Sequence, residues 1–387
     1  MRILHTSDWH LGRSFHRVNM LDAQADFITH LVGTVSERGV DAVVVSGDVY
    51  DRAVPPLAAV ELFDDALHRL AALGVPTVMI SGNHDSARRL GVGAGLIGRA
   101  GVHLRTAPAA CATPVMLSDE HGDVAFYGLP YLEPALVKDE FGVEKAAHEA
   151  VLAAAVRRVR DDLATRPAGT RSVVLAHAFV TGGEPSDSER DITVGGVASV
   201  PAGIFDGVDY VALGHLHGSQ TITERVRYSG SPVPYSFSEA GHRKSMWLVD
   251  LGPGGTVDAE RIDCPVPRAL ARLRGTLEDL LADPALAPYE DAWVEATLTD
   301  AVRPADPMAR LAERFPHTLT LVFAPEHTDA DTADSYASRL AGRSDQEIAE
   351  DFVAHVRGAA PDPREQRVLR DAFDDVHADE ALREIAT

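Results

Sequence analysis

Asp41-Ala42-Val43-Val44-Val45-Ser46-Gly47-Asp48-Val49-Tyr50-Asp51 is a run of apolar, mostly β-branched residues that closes on glycine and two carboxylates. A run this short, ended by a turn signal and without polar alternation, reads as a strand buried on both faces. The same phrase recurs on either side. Residues 2–6 close on Asp8-Trp9-His10, and residues 76–81 close on Gly82-Asn83-His84-Asp85. Between these runs the periodicity is helical, with Leu21, Phe27, Ile28 and Leu31 on one face and Leu57, Val60, Leu62, Phe63, Leu67 and Leu70 on the next. Strand, polar loop and helix in alternation predict an α/β layered fold.

A second series of apolar runs follows at 125–128, 172–176, 210–213, 227–229 and 246–251, interrupted by one Ala-rich helical stretch at 146–163. These runs predict the other half of a sheet sandwich. Two of them also close on imidazoles: His177 follows 172–176, and Gly214-His215-Leu216-His217 follows 210–213. After Cys264, Pro265 and Pro267 mark a linker, and the main domain is placed at 1–264. A Leu-rich helix at 270–281, a strand at 292–298, a helix at 307–315 and a strand at 318–323 predict a small α/β domain at 265–325. An acidic linker is expected at 326–342, and amphipathic helices at 343–387. One helical stripe there carries Ile348, Phe352 and Val356, and another carries Val368, Leu369 and Phe373.

The chain has 387 residues, 45% hydrophobic and 24% charged, which suits a soluble globular protein of two or three domains. No run approaches the ~18 apolar residues of a membrane span, and the first residues do not resemble an export signal, so a cytoplasmic location is expected. Cys111 and Cys264 stand far apart with no CxxC, which argues against a disulfide framework or a thiolate zinc site. Lys plus Arg is 36 against 58 Asp plus Glu, a net charge of -22, and residues 326–387 contribute 16 acidic and 7 basic residues. Nucleic acid can therefore be met only locally.

In α/β folds the loops at strand carboxyl ends gather ligands, and five of the apolar runs end in Asp, Asn or His. Carboxylates, imidazoles and one amide oxygen without a thiolate suit manganese, iron or magnesium, and the number of such groups suggests two ions. In chain order the motifs D-x-H, G-D-x-x-D, G-N-H-D, a lone H and G-H-x-H resemble those of the calcineurin-like metallophosphoesterases, over residues 8 to 217. HTSDWHLGRSFHR, SGDVYDRAVPP, SGNHDSARRL, ALGHLHGSQ and FVAHVRG narrow the resemblance to the SbcD-type nuclease subunits of bacterial SbcCD complexes.

That resemblance implies a four-layer β-sandwich flanked by helices, a small α/β capping domain that meets DNA, and C-terminal helices. It implies one metal held by Asp8, His10, Asp48 and His217, and a second held by Asp48, Asn83, His177 and His215, most simply two Mn2+ with Mg2+ or Fe2+ as substitutes. Asp48 bridges, and His84 sits over the reacting phosphate as a catalytic group. Asp85 and Asp51 match positions that support the ligands, and Asp51 can equally cap or orient neighbouring backbone.

Arg13, Arg17, Arg52, Arg88 and Arg89 lie within a few residues of the motifs, where guanidinium forks can meet phosphate oxygens or simply pair with acids. Phe15 and His16 are candidates to touch a base or groove. The chain has no GxxxxGK[ST], so it does not cradle ATP by that loop. The resemblance instead implies an SbcC-type coiled-coil ATPase partner, contacted by Ile348, Phe352, Val356, Val368, Leu369 and Phe373, and a homodimer within a heterotetramer. The implied activity is a manganese-dependent nuclease, a three-prime to five-prime exonuclease on duplex ends and an endonuclease on hairpins, serving DNA repair and recombination. The alternatives are a phosphoprotein phosphatase, a cyclic nucleotide phosphodiesterase, or a scaffold that has lost its ligands.

Overall fold

The computed structural model describes residues 1–193, 199–325 and 343–373. The expected linker at 326–342 and the last part of the helical tail lie outside the described residues. The chain begins β1 (Arg2–Thr6), the short hairpin β2 (Ser14–Phe15) and β3 (Val18–Asn19), α1 (Leu21–Glu37), β4 (Ala42–Ser46), α2 (Leu57–Ala72) and β5 (Thr77–Ile80). Two single-turn helices, α3 (Ala87–Leu90) and α4 (Ala94–Ile97), lead to β6 (Val102–Arg105), β7 (Val115–Asp119) and β8 (Gly122–Leu129). Then come α5 (Pro134–Phe141), α6 (His148–Leu163), β9 (Arg171–His177), β10 (Tyr210–Gly214), β11 (Gln220–Thr221), β12 (Val226–Tyr228), β13 (Ser245–Leu251) and β14 (Val257–Asp263).

Two six-stranded sheets result, in the orders β14-β13-β1-β4-β5-β6 and β11-β12-β10-β9-β8-β7. In β4, Ala42 and Val44 point into the sandwich with Ile3, Val78 and Ile80, against Phe126, Val173, Leu175 and Ala212 of the other sheet. Val43 and Val45 point the opposite way, onto Phe27, Ile28 and Leu31 of α1 and Phe63 and Leu70 of α2. The second sheet repeats the scheme, with Val174, Ala176 and Val211 packed on Val151, Val156 and Val159 of α6. The order is helices, sheet, sheet, helices. Each central strand is buried on both faces, which is why 41–46 lacks polar alternation. The parallel strands β1, β4, β5 and β9, β10 all aim their carboxyl ends at one rim.

Buried His5 crosses the sandwich, its Nδ1 2.9 Å from Tyr210 Oη and its Nε2 3.1 Å from the Leu213 carbonyl. Burial pushes its pKa down to about 3. The unfolded chain protonates this residue near pH 6.5. Between about pH 3 and 6.5 the unfolded state binds the extra proton, so His5 costs stability as pH falls through that window, by up to ~1.4 kcal/mol per pH unit. The stability difference between the wild type and His5→Phe, from denaturant unfolding with chelator present, is therefore expected to change by about 2 kcal/mol between pH 7 and pH 5. Parallel pH profiles would reject this account.

The region after Pro267 departs from the sequence expectation. Residues 270–275 are a strand, β15 (Leu270–Gly275), and only α7 (Leu277–Ala282) is α-helical. Ala271 and Leu273 are buried while Leu270, Arg272 and Arg274 face away, a period of two that the leucines disguised as a helix. β16 (Trp293–Leu298), α8 (Pro307–Arg314) and β17 (Thr318–Phe323) complete a parallel three-stranded sheet with its own core of Leu273, Leu280, Val294, Leu298, Leu311 and Phe315. The edge strands β6, β7 and β14 carry fewer buried residues and so present no continuous apolar run in the sequence. Met1–Ala324 form one compact unit, because Trp293 packs with Phe15, Met20, Tyr235 and Phe237 in a shared apolar cluster.

In the second unit, α9 (Asp345–Arg357) starts at a reciprocal Ser344–Glu347 capping box and stops at left-handed Gly358, and residues 363–373 are again helical. Phe352, Val356 and Val368 are exposed; Ile348, Leu369 and Phe373 are half-buried. Among the described residues no helix is long and apolar enough to cross a membrane.

Candidate metal centre

Five loops meet at the rim. The loop after β1 is pinned to the loop after β4 by Asp8 N–H to Gly47 O (3.0 Å) and His10 N–H to Asp48 O (2.9 Å). Asp8, His10, Asp48 and His215 all have left-handed backbone, with φ of 54°, 45°, 49° and 107°. Non-glycine residues adopt such angles uncommonly, Asp and His more readily than most, and four of the seven among the described residues gather at this rim.

Asp48 lies at the middle. Its Oδ1 accepts the His84 N–H at 2.9 Å, and its Oδ2 stands 3.5 Å from His177 Nε2 and 3.6 Å from His10 Nε2. On one side, His10 Nε2 and His217 Nε2 approach to 3.0 Å, and Asp8, His10 and His217 offer ligand atoms within 4.8 Å of one another. On the other, Asn83 Oδ1 lies 2.9 Å from His177 Nε2 and 3.2 Å from His215 Nδ1. Asp8 Oδ1 accepts the His215 N–H at 3.0 Å and its Oδ2 accepts the Ser7 hydroxyl at 2.5 Å.

The electrostatics suit a bound cation. Burial, then the charge of Asp48, raises the Asp8 pKa, while burial and neighbouring histidines lower those of His10 and His215. Buried carboxylates are costly without a cation, and neutral imidazoles keep a lone pair for one. Among the described residues, His10 Nδ1 and Asn83 Nδ2 are also buried without a hydrogen-bond partner. The donor set of carboxylate, imidazole and amide oxygen therefore fits divalent cations on both sides of Asp48.

The motif glycines are explained by closeness. A Cβ at Gly82 would lie 2.1 Å from Asp48 Oδ1, one at Gly47 2.5 Å from His177 Nδ1, and one at Gly214 2.0 Å from Ser46 O. Only hydrogen fits there.

Asp85 accepts the N–H groups of Val49 (3.1 Å), Tyr50 (2.9 Å) and Gly82 (2.9 Å), tying the second motif to the third. Burial, then the neighbouring Asp48, pushes its pKa up to about 7 against these bonds. Asp51 reaches His84 through its carbonyl, which accepts His84 Nδ1–H at 2.7 Å, while its carboxylate lies 3.7 Å from Arg13 Nε. The ring of His84 thus turns Nε2 toward Asp48, 4.0 Å from Oδ2.

Several contributors lie outside every motif. Gln24 Nε2–H donates to the His10 carbonyl (2.9 Å), and Tyr235 Oη–H to the Trp9 carbonyl (2.5 Å). Ser188, Glu189, Glu239 and Lys244 surround His217. No spacing signals them, because they come from α1, the loop after β9 and the connection between β12 and β13, all remote in sequence from the motifs they support.

The arginines divide. Arg17, Arg52, Arg88 and Arg89 are exposed. Arg13 is engaged, donating to the Ser188 carbonyl (2.7 Å) and stacking on Tyr235 at 5.0 Å. His16 is exposed, its ring 3.0 Å from Thr320 Oγ1. Phe15 is fully buried against Phe237 and Trp293, so its ring is interior packing that no base can reach, contrary to the sequence expectation.

Residues 1–219 match the calcineurin-like phosphoesterase family, and residues 266–357 match an SbcD C-terminal family described as the type 5 capsule protein repressor C-terminal domain. Solved structures similar to this chain include TT1561 of Thermus thermophilus, at 13% identity and TM-score 0.39, covering 67% of this chain and 98% of that one. GAP50, the anchor in the inner membrane complex of Plasmodium, has 12% identity and TM-score 0.42, covering 84% and 98%. A dimetal phosphatase from Danio rerio has 14% identity and TM-score 0.35, covering 68% and 99%. The first family match takes in more than half of the chain and all the residues gathered around Asp48, so this chain belongs to the calcineurin-like phosphoesterases, a family of metal-dependent hydrolases.

Proposed function

We propose that this chain is the nuclease subunit of an SbcCD-type complex, hydrolysing DNA phosphodiesters with two divalent ions, most simply Mn2+. The observation that carries this reading is the second match, over 266–357, which adds an SbcD C-terminal region to the phosphoesterase domain. A phosphatase or cyclic nucleotide phosphodiesterase needs only the first region.

On this reading Asp8, His10, Asp48 and His217 hold one ion, and Asp48, Asn83, His177 and His215 the other. Such ions, when bound, supply the positive charge that activates solvent and steadies phosphoryl oxygens. The chain's own residues do the rest. His84, with Nδ1–H fixed on the Asp51 carbonyl, has Nε2 as its remaining proton carrier, so its imidazolium form can protonate a departing sugar oxygen. Arg17, Arg52, Arg88 and Arg89 are exposed and can meet DNA phosphates, and Arg13 braces the loop that carries His10. The overall charge of -22 makes DNA binding by this chain alone weak and salt-sensitive.

The test is cleavage of a hairpin duplex, a phosphopeptide and a cyclic nucleotide with Mn2+, with and without the ATPase and with Asp48→Ala as control. DNA cutting lost in the variant supports the reading. Phosphopeptide turnover without DNA cutting would replace it with a phosphatase.

The exposed apolar Phe352, Val356 and Val368, with Ile348, Leu369 and Phe373 beside them in the sequence stripes, support docking on a coiled-coil ATPase of the SbcC type. Phe352→Asp with Phe373→Asp is expected to abolish co-elution with that ATPase while leaving Mn2+-dependent cleavage by the isolated chain within about twofold; co-elution that persists would reject the assignment. Val54, Leu57, Val92 and Leu96, all exposed around α2 and the turns after β5, support a homodimer contact.

A further inference from the structure

Of the 36 basic side chains besides histidine, only Lys138, Lys145 and Lys244 are lysines, and Lys244 is buried. Its ammonium has three donors and three acceptors within reach: the His217 carbonyl at 3.0 Å, Ser231 Oγ at 2.8 Å and Glu239 Oε2. Glu239 is 1% exposed, so its charge survives burial through this partner. The other oxygen of Glu239 accepts the Ser188 hydroxyl at 2.5 Å and the Tyr235 N–H at 3.2 Å. Ser188 Oγ in turn lies 2.6 Å from His217 Nδ1, with Glu239 Oε1 a further 3.4 Å from the same nitrogen.

Ser188 Oγ also lies 2.8 Å from Ser186 Oγ, whose own proton is directed to Glu189 Oε2 at 2.8 Å, so the serine proton is decided by the shorter contact to Glu239. A carboxylate at 2.5 Å takes the serine proton, so the serine oxygen has only lone pairs to offer His217 Nδ1. His217 Nδ1 must then carry a proton, and in the neutral ring this makes Nε2, which faces His10 Nε2 at 3.0 Å, the nitrogen with the free lone pair. His177 reaches the same state more directly, by donating Nδ1–H to the Ser46 carbonyl at 2.9 Å.

We propose that Lys244, Glu239 and Ser188 are positioning residues that act in series to lock His217 in the Nδ1–H tautomer, presenting Nε2 to a divalent cation. This rests on the reading of His217 as a metal ligand. A hydroxyl between carboxylate and imidazole performs the task that a carboxylate alone performs at many metal-bound histidines. None of the three residues belongs to a metal motif, and they come from two segments, the loop after β9 and the turn before β13.

The experiment uses the full chain. Long-range proton–nitrogen spectra of the chelator-treated protein, with His217 assigned through His217→Gln, are expected to show an unprotonated Nε2 in the wild type and loss of that single tautomer in Ser188→Ala. Calorimetric titration with Mn2+ is expected to show one of two binding steps weakened about 10–100-fold in Ser188→Ala and in Glu239→Gln. Ser188→Ala removes one oxygen from a loop, so it remains informative if the Glu239 variant fails to fold. A proton on Nε2 in the wild type, or undiminished Mn2+ affinity in a folded Ser188→Ala, would overturn the proposal. Failure of the wild type to bind Mn2+ would overturn the metal centre instead, while the tautomer spectrum still decides the relay.

Discussion

Asp48→Ala is expected to lose cation binding and hydrolysis together, whereas His84→Ala is expected to keep both ions and lose about 10²–10⁴-fold in turnover. The two side chains are within 4.0 Å of each other, so proximity does not separate their roles. What separates them is the number of partners each serves. Asp48 Oδ2 faces His10 and His177 at 3.6 and 3.5 Å, and Oδ1 holds the backbone of His84. Its removal leaves both halves of the centre without their shared anion. His84 turns one ring nitrogen to the Asp51 carbonyl and the other to within 4.0 Å of Asp48 Oδ2. It also shares with His10 and Asp48 a group of ligand atoms within 4.8 Å of one another, so metal affinity is the readout that separates donor from ligand. Calorimetry with Mn2+ alongside a phosphodiester assay distinguishes the cases. If His84→Ala loses metal in proportion to activity, His84 is a ligand and the proton-donor role is wrong.

Gly82→Ala is expected to be among the most damaging single-methyl additions to this chain, and Gly33→Ala among the most benign. The added Cβ at Gly82 would sit 2.1 Å from Asp48 Oδ1 and 2.4 Å from Asp48 N, inside van der Waals contact with backbone that cannot swing aside. Overpacking of this kind costs about 1–3 kcal/mol, and here the displaced atoms belong to the central Asp48 carboxylate, so cation binding is expected to disappear with it. Gly33 lies within α1, where a Cβ meets nothing within 4 Å. Alanine there is expected to stabilise the chain by about 0.4–1 kcal/mol, chiefly by restricting the unfolded state. Denaturant unfolding with chelator present, followed by Mn2+ titration of each folded variant, reads both effects. Unchanged Mn2+ binding in Gly82→Ala would show that the loop yields and that the glycine is not there to admit Asp48.

Reading from sequence worked where a local period coincided with burial. Val43, Val44 and Val45 are apolar without alternation because one face meets the opposite sheet and the other meets α1 and α2, and that double burial is visible in the chain itself. It failed where local pattern and environment part. Leu270 and Leu273 suggested a helix, but pairing with β16 makes 270–275 a strand, since ladder bonds and one buried face outweigh a weak preference. Phe15 looked like an exposed tip until Trp293 and Phe237, far along the chain, closed over it.

The amino-acid order alone determined the alternation of strands and helices and the placing of Asp8, His10, Asp48, Asn83, His84, His177, His215 and His217 directly after apolar runs. Both follow from short-range rules: side-chain period, glycine turns and the chemistry of the side chains. The folded chain alone decided which nitrogen of each imidazole turns inward, that Gly82 must have no side chain, and that Ser188, Glu239 and Lys244 stand behind His217. Those are matters of a few tenths of an ångström between segments remote in sequence. Hydrogen bonds and close contacts are sensitive to distance on that scale, and no local pattern carries it.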